Sequence, residues 1–174
     1  NLWSFIKQMK TKLYGRERIC ASLIDTKVKG KTLNIGAGEV LWIENELFLG
    51  NKNLISSDID EKNLGEHNRA KTKKVINAEK IDLKSNSISQ VIILDVLEHL
   101  KNDEQAVKEI SRVLKKDGKL IVCVPNDTIL SYINPIRYAQ HERHYTIKLI
   151  KRMLKKRNFI IENIFSGGGV WELI

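Results

Sequence analysis

Cysteine is scarce. Cys20 and Cys123 are the only two in 174 residues, far apart and in no metal-ligand or disulfide spacing. That argues against a disulfide-stapled secreted domain and a zinc ribbon, and fits reduced thiols in a cytoplasm, the expected location. Aromatic residues make up 6% of the chain, and none interleaves with its basic runs as a base-stacking platform would require. No apolar run approaches the roughly 18 residues of a membrane span. The N-terminus begins at Asn1 and lacks the charged, apolar, small order of a secretory signal. No stable membrane insertion is expected.

What is present suits one folded domain. Hydrophobic residues are 42% and charged residues 29%, the balance of an ordinary globular chain with a single core. The net charge is +9, with lysine and arginine crowded into residues 7–31, 71–75 and 143–157. Without interleaved aromatics these runs read first as solvated helix faces. RNA stays open as an alternative polyanionic partner.

Along the chain, Leu2, Ile6, Met9 and Leu13 form one helical stripe, and a second helix is expected over 17–26. "TLNI" reads as a buried strand, 39–49 as a helix, "NLISS" as a strand, and 61–69 as helical. "KVI" is a short strand and "QVIILD" a strongly apolar one. A helix over 103–114 has Asn102 or Asp103 as its cap and Ala106, Val107, Ile110, Val113 and Leu114 on its core face. "KKDG" ends it, and "KLIVCV" is another buried strand. Thr146 caps a helix through Arg157, and "FIIENIF" closes as a strand. Apolar strands alternating with helices predict an α/β fold, a parallel sheet covered on both faces. Such sheets bind ligands at the carboxyl ends of their strands. The ends at Ile35, Asp58 and Asp95 should therefore converge on one crevice.

The sequence "LNIGAGEVLW" puts two glycines at the first of those ends. A dinucleotide site would need a third glycine where Leu41 stands, and Glu39 would repel a phosphate at the helix start. A phosphate-poor ligand fits better. Asp58, about 20 residues on, can take both hydroxyls of a ribose.

Together with "LISSDID", "INAEKIDLKSNSISQVIILDVLEHL" and "EISRVLKKDGKLIVCVPN", this stretch resembles the ordered motifs of class I S-adenosylmethionine-dependent methyltransferases. The nearest group includes quinone-biosynthesis methyltransferases (methyltransferase type 11), and the resemblance covers residues 32 to about 165. It implies a Rossmann-like, doubly wound, mostly parallel sheet of order 3-2-1-4-5-7-6. The last strand would be antiparallel or missing. Residues 1–30 would form an N-terminal helical cap or lid, and 31–174 the methyltransferase domain.

The resemblance also implies a cofactor, S-adenosylmethionine, and the residues that hold it. Gly36 and Gly38, with Ala37 between them, would lie against its methionine part. Asp58 would bind the ribose diol, and Ile59 would pack on the adenine. Asn77 and Ala78 stand where the family reads the adenine edge, and Asp95 faces the sulfonium side. Asn34 occupies a position that is usually acidic. Val40 replaces a further glycine, and Asn77 replaces an aspartate. These departures keep a non-catalytic binding or scaffold protein open as an alternative. The chain also stops soon after "SGGGVWELI", where the family completes its last strand, so a truncated C-terminus is a further expectation.

Methyl transfer needs a nucleophile aligned with the methyl group and, for a hydroxyl, a base. "DVLEHL" offers Asp95, Glu98 and His99; "HERHYT" offers His141, Arg143, His144 and Tyr145. The functional reading takes His144 or His99 as general base, with Arg143 orienting an anionic acceptor. The structural reading has Glu98 and His99 bracing the next helix. D-x-x-E-H also resembles the E-x-x-E-H arrangement of metal-assisted O-methyltransferases, so a divalent metal is conceivable but not expected. Residues 127–140, with Tyr132, Pro135 and Tyr138, would roof the pocket. Trp3, Phe5 and Ile6 could join the lid or form a membrane-surface stripe, with simple docking on the domain preferred. The expected function is transfer of a methyl group to a hydroxyl or other heteroatom of a small or lipid-like acceptor. The alternatives are an RNA methyltransferase and the scaffold. Nothing in the sequence fixes the oligomeric state.

Overall fold

A computed structural model describes residues 16–38, 41–125, 145–167 and 171–173. In chain order these form helix α1 (Arg16–Leu23) and strands β1 (Lys31–Ile35), β2 (Leu54–Asp58), β3 (Thr72–Val75) and β4 (Ile88–Leu94). Helix α2 (Asp103–Val113), β5 (Leu114–Pro125), α3 (Ile147–Lys155), β6 (Phe165–Gly167) and β7 (Trp171–Leu173) follow. The strands build one seven-stranded sheet of order β3-β2-β1-β4-β5-β7-β6. The first five are parallel, and β7 runs antiparallel between β5 and β6. The expected order therefore holds, and the last strand is present.

Period-2 alternation in the central strands explains why both faces are covered. Leu33, Val91, Ile93 and Val122 pack with Val107 and Ile110 of α2 and Ile150 and Leu154 of α3. Ile92, Ile121 and Cys123 point to the other face, against Cys20, Ala21 and Ile24 beside α1 and against Trp42 and Phe48. Each fully buried side chain of this size contributes roughly 1.5–3 kcal/mol, so the pattern holds β1 and β4 at the centre. Asn102 caps α2, its side chain accepting from Gln105 N, and Thr146 caps α3 by accepting from Leu149 N.

Several boundaries differ from the sequence reading. The helix expected over 39–49 is, in its described part, one wide turn, Ile43–Leu47, with Phe48 N donating to Ile43 O. The helix expected over 61–69 is a short 3-10 turn, Glu61–Leu64. Beyond it, Asn68 fixes the chain in a loop, its Oδ1 accepting from Ala70 N. The helix expected over 17–26 ends at Leu23, and α3 ends at Lys155 rather than Arg157. There the chain turns through Asn158, at φ +63°.

"KKDG" does end α2, but Leu114 already pairs with Ile88, and Lys119 pairs with Gln90. Residues 115–118 therefore bulge from the ladder, with Asp117 at φ +61°. "FIIENIF" is a strand only from Phe165. β7 pairs with β5 only at Cys123, Val124 and Pro125. Among the described residues, 159–164 have no neighbouring strand, and residues 159–163 border a groove of about 650 Å³ beside the first half of β5.

Candidate functional site

The crevice is built where β1, β2 and β4 end side by side. After Ile35 the chain turns sharply through Gly36 at φ +72° and Gly38 at φ +61°, a region L side chains rarely adopt. A Cβ on Gly36 would overlap Cγ2 of Val96, which follows β4. Among the described residues, one on Gly38 would meet nothing nearer than Gly36 O at 4.0 Å. The first glycine thus lets two strand ends close on each other.

Asp58, at the end of β2, completes that contact. It is 6% exposed. Its Oδ2 accepts from Gly38 N at 2.9 Å and its Oδ1 from Asp60 N at 2.9 Å. Ala37 N donates to Ser57 O at 2.9 Å, tying the same two ends by backbone. Each carboxylate oxygen keeps a lone pair for a further donor. Ile59 next to it is 69% exposed, an apolar surface beside a fixed carboxylate. A glycine cradle, a carboxylate with acceptor capacity and an exposed isoleucine suit an adenosine-type ligand.

At the third end, Asp95 holds the left-handed conformation, φ +55°, while its N–H donates to Cys123 O. A 3-10 turn, Leu97–His99, follows. Glu98 is fully buried and His99 is exposed. Asn77 is exposed and turns its Oδ1 to Glu79 N at 2.8 Å, whereas Ala78 is buried. Tyr145, one of the "HERHYT" residues, is 1% exposed, and its hydroxyl donates to Asp103 Oδ2 at 2.8 Å. It anchors the start of α3 to the start of α2. Among the described residues no three of His, Cys, Asp and Glu stand close enough to hold a metal.

Beneath the crevice lies a polar network that the sequence reading did not include. Glu44 is fully buried. Its Oε1 accepts from Asn34 Nδ2 at 2.6 Å and from Ser56 Oγ at 2.8 Å, and Asn68 Nδ2 donates to Ser56 Oγ at 2.8 Å. Burial raises its pKa; the bonds from Asn34, Ser56 and its own backbone N–H act against this, and the charge on Asp58 acts with it. An acid within the apolar run "LWIENELF" was the available signal. Asn34 is thus buried at 3% exposure with its amide turned to Glu44. His144, Arg143, His141, Glu39, Val40, residues 1–15 and residues 127–140 lie outside the described residues.

Comparison with known proteins matches residues 33–122, just over half of the chain, to a family described as a methyltransferase domain. A probable S-adenosylmethionine-dependent methyltransferase of Mycolicibacterium smegmatis is 29% identical over an alignment of 134 positions that covers 70% of this chain and 50% of the relative. The chain thus spans about half the length of the curated relative it matches. An S-adenosylmethionine-dependent methyltransferase of Mesorhizobium loti shares the fold at a TM-score of 0.71 and 13% identity, over 89% of this chain and 94% of that one. A phosphoethanolamine N-methyltransferase of Haemonchus contortus, solved with S-adenosyl-L-methionine, aligns at a TM-score of 0.60 and 21% identity, over 80% of this chain and 35% of that one.

Proposed function

Because the chain belongs to the methyltransferase domain family, we propose that it binds S-adenosylmethionine at the β1–β2–β4 crevice and transfers its methyl group. The acceptor atom in this reading is a hydroxyl or other heteroatom of a small or lipid-like molecule. The observation that carries the reading is the Gly38–Asp58 bond across two parallel strand ends, with Ile59 exposed beside it. Asp58 takes the ribose hydroxyls, Ile59 covers one adenine face, and Asn77 and Ala78 border its edge. Gly36, Ala37 and Gly38 let the methionine part approach the backbone. Asn34 lies under that turn.

S-adenosylmethionine supplies a carbon already activated by its sulfonium, so the protein's work is alignment, exclusion of water and removal of a proton. His144 or His99 is the base in this reading, and Arg143 orients the acceptor. Titration calorimetry with S-adenosylhomocysteine tests the reading: saturable heat is expected. Neither heat nor a thermal shift at millimolar ligand would return the chain to the scaffold alternative.

An RNA acceptor is the second reading, favoured by the exposed Lys71 just before β3 and the exposed Lys74 within it, on the strand beside β2. It requires RNA binding that weakens steeply with salt.

A further inference from the structure

We propose that Glu44 is the positioning residue of the crevice, clamping the ends of β1 and β2 in the register that keeps Gly38 N–H on Asp58. It reaches in from the turn after the glycines and stands in for the acid that the resemblance expects at position 34. The inference rests on the cofactor reading only for what the crevice binds; the clamp itself is geometry.

Asn34 and Ser56 are register partners across β1 and β2, one step before Ile35–Ser57 and two before Asp58. Both donate to the same oxygen of Glu44. A third strut comes from Asn68, which donates to Ser56 Oγ, and Ser57 Oγ donates to Asn34 O. The neighbouring Asn45 binds the same loop: its Nδ2 donates to His67 O, and its Oδ1 accepts from Arg69 N. The wide turn Ile43–Leu47 is thereby tied to both strands and to residues 67–70. Local widenings of this kind place a side chain that a regular helix would not.

Among the described residues, the second carboxyl oxygen, Oε2, is buried with no hydrogen-bond partner. A buried anion with one bare oxygen is far costlier than a neutral acid. With two donors converging on Oε1, the proton belongs on Oε2. The facing groups are Asn34 from β1, Ser56 and Asp58 from β2, and Asn68 from the loop, with Glu46 on the same turn. Among the described residues, the charge that adds to the effect of burial on Glu44 is that of Asp58. Ionisation of Glu44 would set a second negative charge beside it and loosen the clamp. The neutral form is the one that holds.

The test compares the wild-type chain with Glu44→Gln and Glu44→Leu. The readouts are the amide shift of Gly38 by NMR without ligand, and the affinity for S-adenosylhomocysteine across pH. Glu44→Gln mimics the neutral acid: it should keep the Gly38 shift, hold affinity within about twofold, and remove the loss of affinity that accompanies ionisation of Glu44 as pH rises. Glu44→Leu should move the Gly38 amide and weaken binding by about tenfold or more. Should Leu prevent folding, the Gln variant and the wild-type pH profile decide. An unmoved Gly38 amide in Glu44→Leu, or a Gln variant with the wild-type pH profile, overturns the proposal. A wild-type chain that binds no S-adenosylhomocysteine overturns the cofactor reading instead, while the Gly38 shift still judges Glu44.

Discussion

The N–H of Gly38 donates to Oδ2 of Asp58 at 2.9 Å, linking two residues twenty positions apart at the ends of adjacent parallel strands. The bond fixes the carboxylate before any ligand arrives. Its two partners depend on different chemistry: one needs a backbone without a Cβ, the other a short acid. The predictions below separate these demands.

Replacing Gly36 with alanine introduces two faults at once. The residue must hold φ +72°, and its Cβ overlaps Val96. The left-handed conformation alone costs about 1–2 kcal/mol. Gly36→Ala should therefore lower the denaturant midpoint, and Gly36→Ala with Val96→Ala should recover part of the loss but not all. Full recovery would assign the whole cost to the overlap.

Asp58→Asn keeps the shape and one acceptor oxygen but loses the charge. Binding of S-adenosylhomocysteine should weaken by roughly ten- to a hundredfold, the value of a charge-assisted hydrogen bond. The fold should persist, because the β1–β2 ladder and the Ala37–Ser57 bond do not involve the carboxylate. Calorimetry alongside circular dichroism reads both outcomes.

Stability of the wild-type chain should fall with rising pH because of Glu44. Its folded pKa is raised above the unfolded value, chiefly by burial. The folded state therefore holds a proton that the unfolded state has released. The contribution is fully present below the unfolded pKa of about 4.3 and is lost as pH rises through the folded value. The stability of Glu44→Gln minus that of wild type should thus grow as pH rises from the unfolded carboxylate pKa through the raised folded one. Urea melts at several pH values measure it, and a flat difference contradicts the assignment.

The Glu109–Arg112 pair should show the opposite sign. Arg112 holds Glu109 through Nε and Nη2 and also donates to Ile81 O and Leu83 O, while Ile81 N donates to Glu109 Oε2. The hydrogen bond from Arg112 lowers the Glu109 pKa, an effect that outweighs burial. The stabilisation is present above the unfolded carboxylate pKa and is lost as pH falls through the depressed one. Arg112→Ala should cost about 2 kcal/mol near neutral pH and less in acid, because it removes the anchor of the segment leading into β4.

For the reaction itself, His144→Ala should cut turnover while leaving S-adenosylhomocysteine affinity unchanged. His99→Ala, at an exposed position, separates the two candidate bases. An unaffected rate in both variants would withdraw histidine from proton removal.

The sequence alone determined the sheet and the strand ends, at Ile35, Asp58 and Asp95, that come together in it. Alternation in "TLNI", "QVIILD" and "KLIVCV", spaced by helices, admits few packings, and the glycines and Asp58 mark strand ends by chemistry that needs no tertiary information. Pairing within the sheet decided what local pattern could not. "FIIENIF" has strand propensity throughout, yet only Phe165 is paired in β6, because β7 meets β5 for three residues. Residues 39–49 and 61–69 carry helical spacing, but contacts to distant partners set a wide turn and a loop instead. Glu44 is the clearest case. In the sequence it is one more acid in a helix-like run, and only the meeting of β1, β2 and residue 68 gives its carboxyl group two donors and removes it from water. Propensity acts between neighbours; the protonation and placement of a buried acid depend on residues far along the chain.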